Sequence, residues 1–269
     1  MEAWRKELYH HGIKGQKWGV RRFQNKDGSY TPEGKQRYAQ LKSEGARVVT
    51  KGTTFQRIST VKEKKTRGDR TYLSYKDADN DWYTEHMTDF RGGFNKVFKV
   101  NYKAAYDIYY PTHKKQVDEF ISLYNDRPVK TLSEISRELG RRTAIASMQN
   151  PALSTVGKSY IEKYASNIFK NKIEAFMNNK QYEEAYQNFM AAYSEIPVTS
   201  LEYQKRLQKQ GYNAIVDDND TQYNTMFKGK PTDSLIVFNP KENLTITSST
   251  KLTEKEYNEA KHRNKKRFG

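Results

Sequence analysis

The sequence predicts an α+β protein, a mixed or antiparallel sheet whose strands are parted by a helical insertion. Three observations carry that expectation. Two short runs, Gly211-Tyr212-Asn213-Ala214-Ile215-Val216-Asp217-Asp218 and Ser234-Leu235-Ile236-Val237-Phe238-Asn239-Pro240, are apolar, β-branched and bounded by turn formers, as buried central strands that neighbour one another are. Nearer the amino terminus, several stretches alternate apolar and polar residues, the period of a half-buried strand. Between these groups, over about 131–198, apolar and aromatic residues recur at helical spacing.

In chain order, a flexible basic arm is expected over 1–46, ahead of a main domain over 47–269. Tyr9-His10-His11-Gly12-Ile13-Lys14-Gly15-Gln16-Lys17-Trp18-Gly19-Val20-Arg21-Arg22-Phe23 interleaves glycines, cations and aromatics, and has too little apolar bulk for a core of its own. Lys14, Lys17, Arg21 and Arg22 can neutralise phosphate, while Trp18 and Phe23 stack on bases or fill a partner's pocket. A leader with no partner is the plainer account. Adjacent His10 and His11 point apart with no third ligand near, which is a poor start for a metal site. Thr31-Pro32-Glu33 is an N-cap with proline at the first helical position and opens a helix to about Ser43.

The core is expected from near Val48. Gly52-Thr53-Thr54-Phe55-Gln56-Arg57-Ile58-Ser59 alternates as a strand, and a basic loop over 62–70 leads to a second strand at Thr71-Tyr72-Leu73-Ser74-Tyr75. Lys96-Val97-Phe98-Lys99-Val100-Asn101-Tyr102 alternates as a half-exposed strand, and Pro111 closes another after Ile108-Tyr109-Tyr110. Thr112 caps a helix with Val117, Phe120, Ile121 and Tyr124 on one face. Helices are expected over 131–139, 154–177, 182–193 and 200–210, the last stopped by Gly211. A long polar loop over 219–233 joins the two central strands, and such loops are where sites are usually built. Leu244-Thr245-Ile246-Thr247 reads as a strand, Thr253 caps a final helix, and a basic tail is expected over about 261–269.

Composition bounds the function. A chain of 269 residues buries one good-sized core or two small ones. Hydrophobic content of 35% and a mean hydropathy of -1.03 predict solvated arms around that core. A net charge of +16 and a pI near 9.6 predict attraction to polyanions, nucleic acid first and anionic membrane second, with solvated lysines on helix faces the bland alternative. The absence of cysteine excludes disulfides and thiol chemistry. No run approaches the ~18 apolar residues that span a bilayer, and Met1 to Leu8 lack a signal-peptide core. The expected setting is a reducing cytoplasm or the inside of a particle, with no membrane span.

Two resemblances sharpen this. His10-His11-Gly12-Ile13-Lys14-Gly15-Gln16-Lys17-Trp18-Gly19-Val20-Arg21-Arg22-Phe23, followed by Asp27-Gly28-Ser29-Tyr30-Thr31-Pro32-Glu33-Gly34, resembles a segment of phage and prophage proteins that is often attached to head-morphogenesis or minor-capsid proteins. It implies a phage origin, an association with the virion and capsid or other virion proteins as partners. Gly211-Tyr212 through Ile215, with Leu235-Ile236-Val237-Phe238-Asn239-Pro240, resembles the closing strands of the ADP-ribosyltransferase superfamily, especially its toxin-like branch. That resemblance implies the family's split sheet and NAD as a substrate, with no metal. Arg57 would hold the phosphate or ribose of NAD, with Ser59 beside it. Tyr72 would stack beneath nicotinamide beside Ser74, and Tyr83 would lie on the following helix. The family's catalytic Glu is matched here by Ser234, preceded by Asp233.

ADP-ribosyl transfer passes through an oxocarbenium-like state that a carboxylate stabilises, and a serine brings no charge. Two functions follow as expectations. One is a phage-encoded ADP-ribosyltransferase that modifies a host protein or other macromolecule, which requires Arg57 and Tyr72 to face one cleft with an acid beside the ribose. The other is a catalytically inactive capsid-associated protein that binds DNA or virion proteins, in which that cleft is filled or lacks the acid.

Overall fold

The computed structural model describes residues 23, 25, 27, 29–66, 68–74, 76–150, 153, 155–217 and 233–268. Their fold is α+β. Strands β1 (Arg47–Val49), β2 (Thr54–Ser59), β3 (Arg70–Leu73), β4 (Phe98–Ala104), β5 (Ile108–Tyr110), β6 (Ala214–Asp217), β7 (Ser234–Phe238) and β8 (Leu244–Lys251) pair antiparallel in three small sheets, β1-β5, β2-β4-β8 and β3-β7-β6. Two backbone joints make them one bent surface. Gln56 and Ser74 exchange both main-chain hydrogen bonds (2.8 and 2.9 Å), coupling β2 to β3. Asn213 couples β6 to β5: its N–H donates to the Tyr109 carbonyl (2.9 Å) and its side-chain oxygen accepts from the Tyr109 N–H (2.6 Å).

Strand β7 lies at the centre, and all five of its residues are buried. Residues directly opposed in a ladder point to the same face. Tyr72, Ile236 and Ile215 therefore share one face, which packs with Phe238 against a helical cluster built on Phe120, Ile135, Phe189, Tyr193 and Tyr203. Leu73, Leu235, Val237 and Ala214 share the other, which packs against Phe55, Val100, Tyr102 and Leu244 of the neighbouring sheet. A third, smaller cluster of Ile58, Val97 and Leu252 lies under α2 (Asp77–Arg91) and the carboxy-terminal helix.

The helical block is wider than the expected 131–198. It runs through α3 (His113–Asp126), α4 (Pro128–Ser147), α5 (Lys158–Asn178), α6 (Tyr182–Tyr193) and α7 (Thr199–Gln210), because Phe120 and Leu123 of α3 and Tyr203 and Leu207 of α7 complete the same core. The fourth helix extends past the expected 131–139 because Arg141 and Arg142 turn back to Glu138 (all three hydrogen bonds 2.8 Å), which keeps their charges compatible with a helix against the core. Helices α4 and α5 meet at Gly140, where a Cβ would sit 2.1 Å from the Ser166 hydroxyl and 2.6 Å from the Glu162 carbonyl, so only glycine allows this approach.

Two described segments near the chain ends pack on the rest of the fold where solvated arms are expected. Helix α1 (Pro32–Ser43), capped by Thr31 accepting from the Gly34 N–H (3.1 Å), docks on the main core: Leu41 is buried, Tyr38 stacks on Tyr109 (4.3 Å) and Arg37 donates to the Lys209 carbonyl (2.7 Å). The division at residue 46 therefore does not separate α1 from the domain. After the short α8 (Pro240–Asn243), the run expected as a basic tail continues α9 (Glu254–Phe268), because two of its cations have an internal partner. Asp81 of α2 accepts from Arg263 (2.9 and 2.8 Å) and from Arg267 (2.7 Å), and Asn264 donates to the Asp81 carbonyl (3.0 Å) and Glu85 (2.7 Å).

Removing Asp81 deprives two half-exposed arginines of their shared anion, so Asp81→Ala is expected to lose about 2 kcal/mol in urea unfolding, the scale of hydrogen bonds to a charged group. It should also speed hydrogen exchange along α9 before the rest of the chain. Burial pushes the Glu138 carboxyl up, but the Arg141 and Arg142 hydrogen bonds outweigh it and hold it below the usual glutamate range. Its contribution is therefore present above the unfolded-state pKa and lost as pH falls through the lowered folded value. Unfolding of Glu138→Gln, followed from pH 7 to pH 3, should show a flatter acid limb than the parent.

Candidate functional site

Five of the residues singled out for chemistry, Tyr72, Ser74, Tyr83, Asp233 and Ser234, meet at the end of the sheet where β7 begins. Leu73 opposes Leu235, so the next step of the register sets Ser74 beside Ser234, and Asp217 opposes Ser234 from β6. Ser74, Ser234 and Asp217 thus form a row across three strands on one face, with Cβ atoms of opposed pairs about 5 Å apart. Tyr72 lies on the same face, one row deeper, against the helical cluster. The Tyr83 hydroxyl of α2 is 2.9 Å from the Ser234 hydroxyl. At the lip, Lys76 forms an ion pair with Asp233 and also lies near Asp79, two residues into α2.

Local sequence explains this arrangement. Strand β3 runs into Ser74, whose backbone is committed to Gln56, and α2 starts after Lys76 with Asp77 and Asp79 in its first turn, where acids favour the helix dipole. Gln56 then donates to the Thr84 hydroxyl (3.1 Å), fixing α2 over this face. Among the described residues, the Ser74 hydroxyl, one Asp79 carboxylate oxygen and the Asn80 side-chain carbonyl are buried without a hydrogen-bond partner. Burial raises the Asp79 carboxyl, with Lys76 opposing the shift.

Arg57 is elsewhere. Gln56 opposes Ser74 and so shares its face; Arg57, one residue on, faces the other way, toward Phe55, Val100 and Tyr102. There its Nε is 4.0 Å from Glu63, which also accepts from the Tyr102 hydroxyl and anchors its own N–H on Ser249 (2.9 Å). Burial and then Glu63 push the Tyr102 phenol up. Ser59 shares Arg57's side of β2 and accepts from the Val61 N–H (3.3 Å) in a turn. The structure thus gathers Tyr72, Ser74, Tyr83 and Ser234 on one face with Asp233 at its lip, and leaves Arg57 and Ser59 on the opposite one.

Of the arm residues, Lys14, Lys17, Trp18, Arg21 and Arg22 lie outside the described residues, as does most of the long loop over 219–233. Phe23 is turned inward on its own chain, under Arg37 (4.5 Å) and edge-on to Tyr38 (6.5 Å), rather than offered to a partner. Among the described residues no cluster of carboxylates or imidazoles is placed to hold a metal ion, and no helix is long and apolar enough to cross a membrane.

The row's chemistry is limited by access. Ser74, Ser234 and Asp217 are only 3%, 2% and 8% exposed, so a dinucleotide cannot reach them without displacing the side chains that cover them. The sequence does not single out Lys76 or Asp79. A lysine and an aspartate at a helix start are too common to signal a site, and only the fold brings them to β7.

Because the folded state holds the Asp79 carboxyl above its ordinary value, its contribution is fully present below the unfolded pKa of about 3.9 and lost as pH rises through the folded value. Asp79→Asn is therefore expected to gain about 1 kcal/mol in urea unfolding at pH 7 and nothing at pH 3. No family model, no curated protein and no solved structure matches this chain.

Proposed function

We propose that the chain is a binding protein on a transferase-like α+β scaffold, with a nucleic acid as its ligand and no turnover of NAD. The observation that carries this is the division of the expected NAD residues between two faces of the sheet. Arg57 is engaged with Glu63 on one; on the other, buried Ser234 occupies the acid's position and is bonded to Tyr83. Asp233 is an acid next in sequence, but Lys76 neutralises it at the lip. The excess of cations supplies the alternative activity, since a net charge of +16 drives counterion release from phosphate backbones. The resemblance of the amino-terminal segment to phage head-associated proteins makes phage DNA, packaged or newly delivered to a host, the natural ligand.

A second reading has one observation in its favour. Asp217 is a carboxylate on the Ser234 face, one strand over, and an opening of the structure over this face would expose it to an NAD ribose. Calorimetric titration of NAD into the full chain separates the two. The binding reading expects no saturable heat, together with DNA binding that weakens steeply with salt. Saturable NAD binding that is lost in Asp217→Asn and Tyr83→Phe, with released nicotinamide, would replace it with the transferase reading.

A further inference from the structure

The α4–α5 hairpin carries a groove that none of the site residues touches. It is open, about 480 Å³ in volume, and its lining includes Arg137 and Ser133 of α4 and Ser159, Lys163, Asn167 and Lys170 of α5. From Ser159 to Lys170 it follows the helix for roughly 16 Å at 1.5 Å per residue. Among the described residues none of its three cations is held in an ion pair, whereas Arg141 and Arg142, just along α4, are both engaged by Glu138. The one lining carboxylate, Glu162, acts electrostatically on Arg141.

An aromatic edge borders this groove. Residues three and four apart on a helix are surface neighbours, so Tyr160 lies beside Lys163 and Tyr164 beside Asn167. Tyr160 and Tyr164 are 66% and 62% exposed, among the most exposed large apolar side chains described, and their rings are parallel (1°) with centroids 6.4 Å apart. Ile168, 49% exposed, continues the stripe one turn on. Exposed tyrosines of this kind are not explained by packing, since the described core already buries Tyr102, Tyr109, Tyr193, Tyr203 and Tyr212.

We propose that this face of the hairpin is a binding site for single-stranded nucleic acid. Arg137, Lys163 and Lys170 pair with successive phosphates along the groove while bases stack on Tyr160 and Tyr164 at its edge. Cations that track a backbone beside flat rings that accept any base are the two parts of a sequence-tolerant single-strand site. A duplex keeps its bases stacked inside and would use only the cations, so the tyrosines assign the ligand to single strands. Close approach of the two helices at Gly140 holds the groove walls at a fixed spacing.

The proposal rests on the nucleic-acid reading above, and the test keeps the two separable. Fluorescence anisotropy would follow a labelled oligothymidylate binding to the full chain across a salt series, for the parent and three variants of it. The variants are Arg137→Ala/Lys163→Ala/Lys170→Ala, Tyr160→Ala/Tyr164→Ala, and, as a charge-matched control, Lys251→Ala/Lys265→Ala/Lys266→Ala in β8 and α9. The groove triple should lower the slope of log affinity against log salt by about 2, at ~0.7 per lost phosphate contact on a single strand. The tyrosine pair should weaken binding roughly ten-fold for each base no longer stacked, with the slope unchanged. The control should do neither.

An equal loss in the groove triple and its charge-matched control, with none in the tyrosine pair, overturns the groove and leaves a protein that holds DNA by its overall charge. Loss of binding to phosphatidylserine vesicles in the groove triple, with oligonucleotide binding intact, reassigns the face to a membrane. No oligonucleotide or duplex binding by the parent overturns both readings together.

Discussion

Burial of β7 on both faces is the constraint from which the rest of the architecture follows. A strand whose residues from Leu235 to Phe238 are all fully buried needs two separate covers, and the chain builds one of each kind. Helices α3 to α7 cover the face of Ile236 and Phe238, and the β2-β4-β8 sheet covers that of Leu235 and Val237. A strand so placed has no solvated side, which is why its sequence is continuously apolar rather than alternating. Ser234 is the exception at its end, and burial obliges it to find a polar partner, which Tyr83 provides.

The same economy governs charge. A large share of the chain's arginines act inside the molecule. Arg263 and Arg267 converge on Asp81, Arg141 and Arg142 on Glu138, and Arg70 donates to the Tyr193 carbonyl (3.2 Å) and the Ser200 hydroxyl (3.1 Å) while lying 4.3 Å over the Tyr193 ring. The planar guanidinium suits these tasks because it forks onto carboxylates and stacks on rings. Formal net charge therefore says little about where a polyanion would settle. What matters is which cations are left over after these internal pairings, and lysines predominate among them.

Much of this fold was legible because it rests on periodicity. The central strands, their adjacency and the cap at Thr31 can all be read from residue order, since apolar runs, turn formers and capping side chains act within a few residues. What could not be read depends on pairings distant in sequence. Whether Arg57 or Gln56 faces the Tyr72 side is decided by the single bridge between Gln56 and Ser74, and a slip of one residue would exchange them. The basic run at the carboxy terminus is compositionally a tail; Asp81, far upstream, makes it a docked helix. Helix α1 likewise has too small an apolar face to announce burial, yet Leu41 and Tyr38 find the main core.

These two kinds of legibility bear on function differently. A site that depends on side chains from three strands is sensitive to register, which the apolar pattern within each strand does not set. Here that leaves a covered face on which Tyr72, Ser74 and Ser234 meet Asp217 but not Arg57, with the Asp79 carboxyl held nearby in poor solvation. A helical hairpin is different: its outward face is set by local periodicity, and no distant strand must align for Lys163, Tyr160 and Tyr164 to share a neighbourhood. Once the interior of the sheet is given over to packing, a surface of that sort is the part of the molecule best able to take on binding without disturbing the core that supports it.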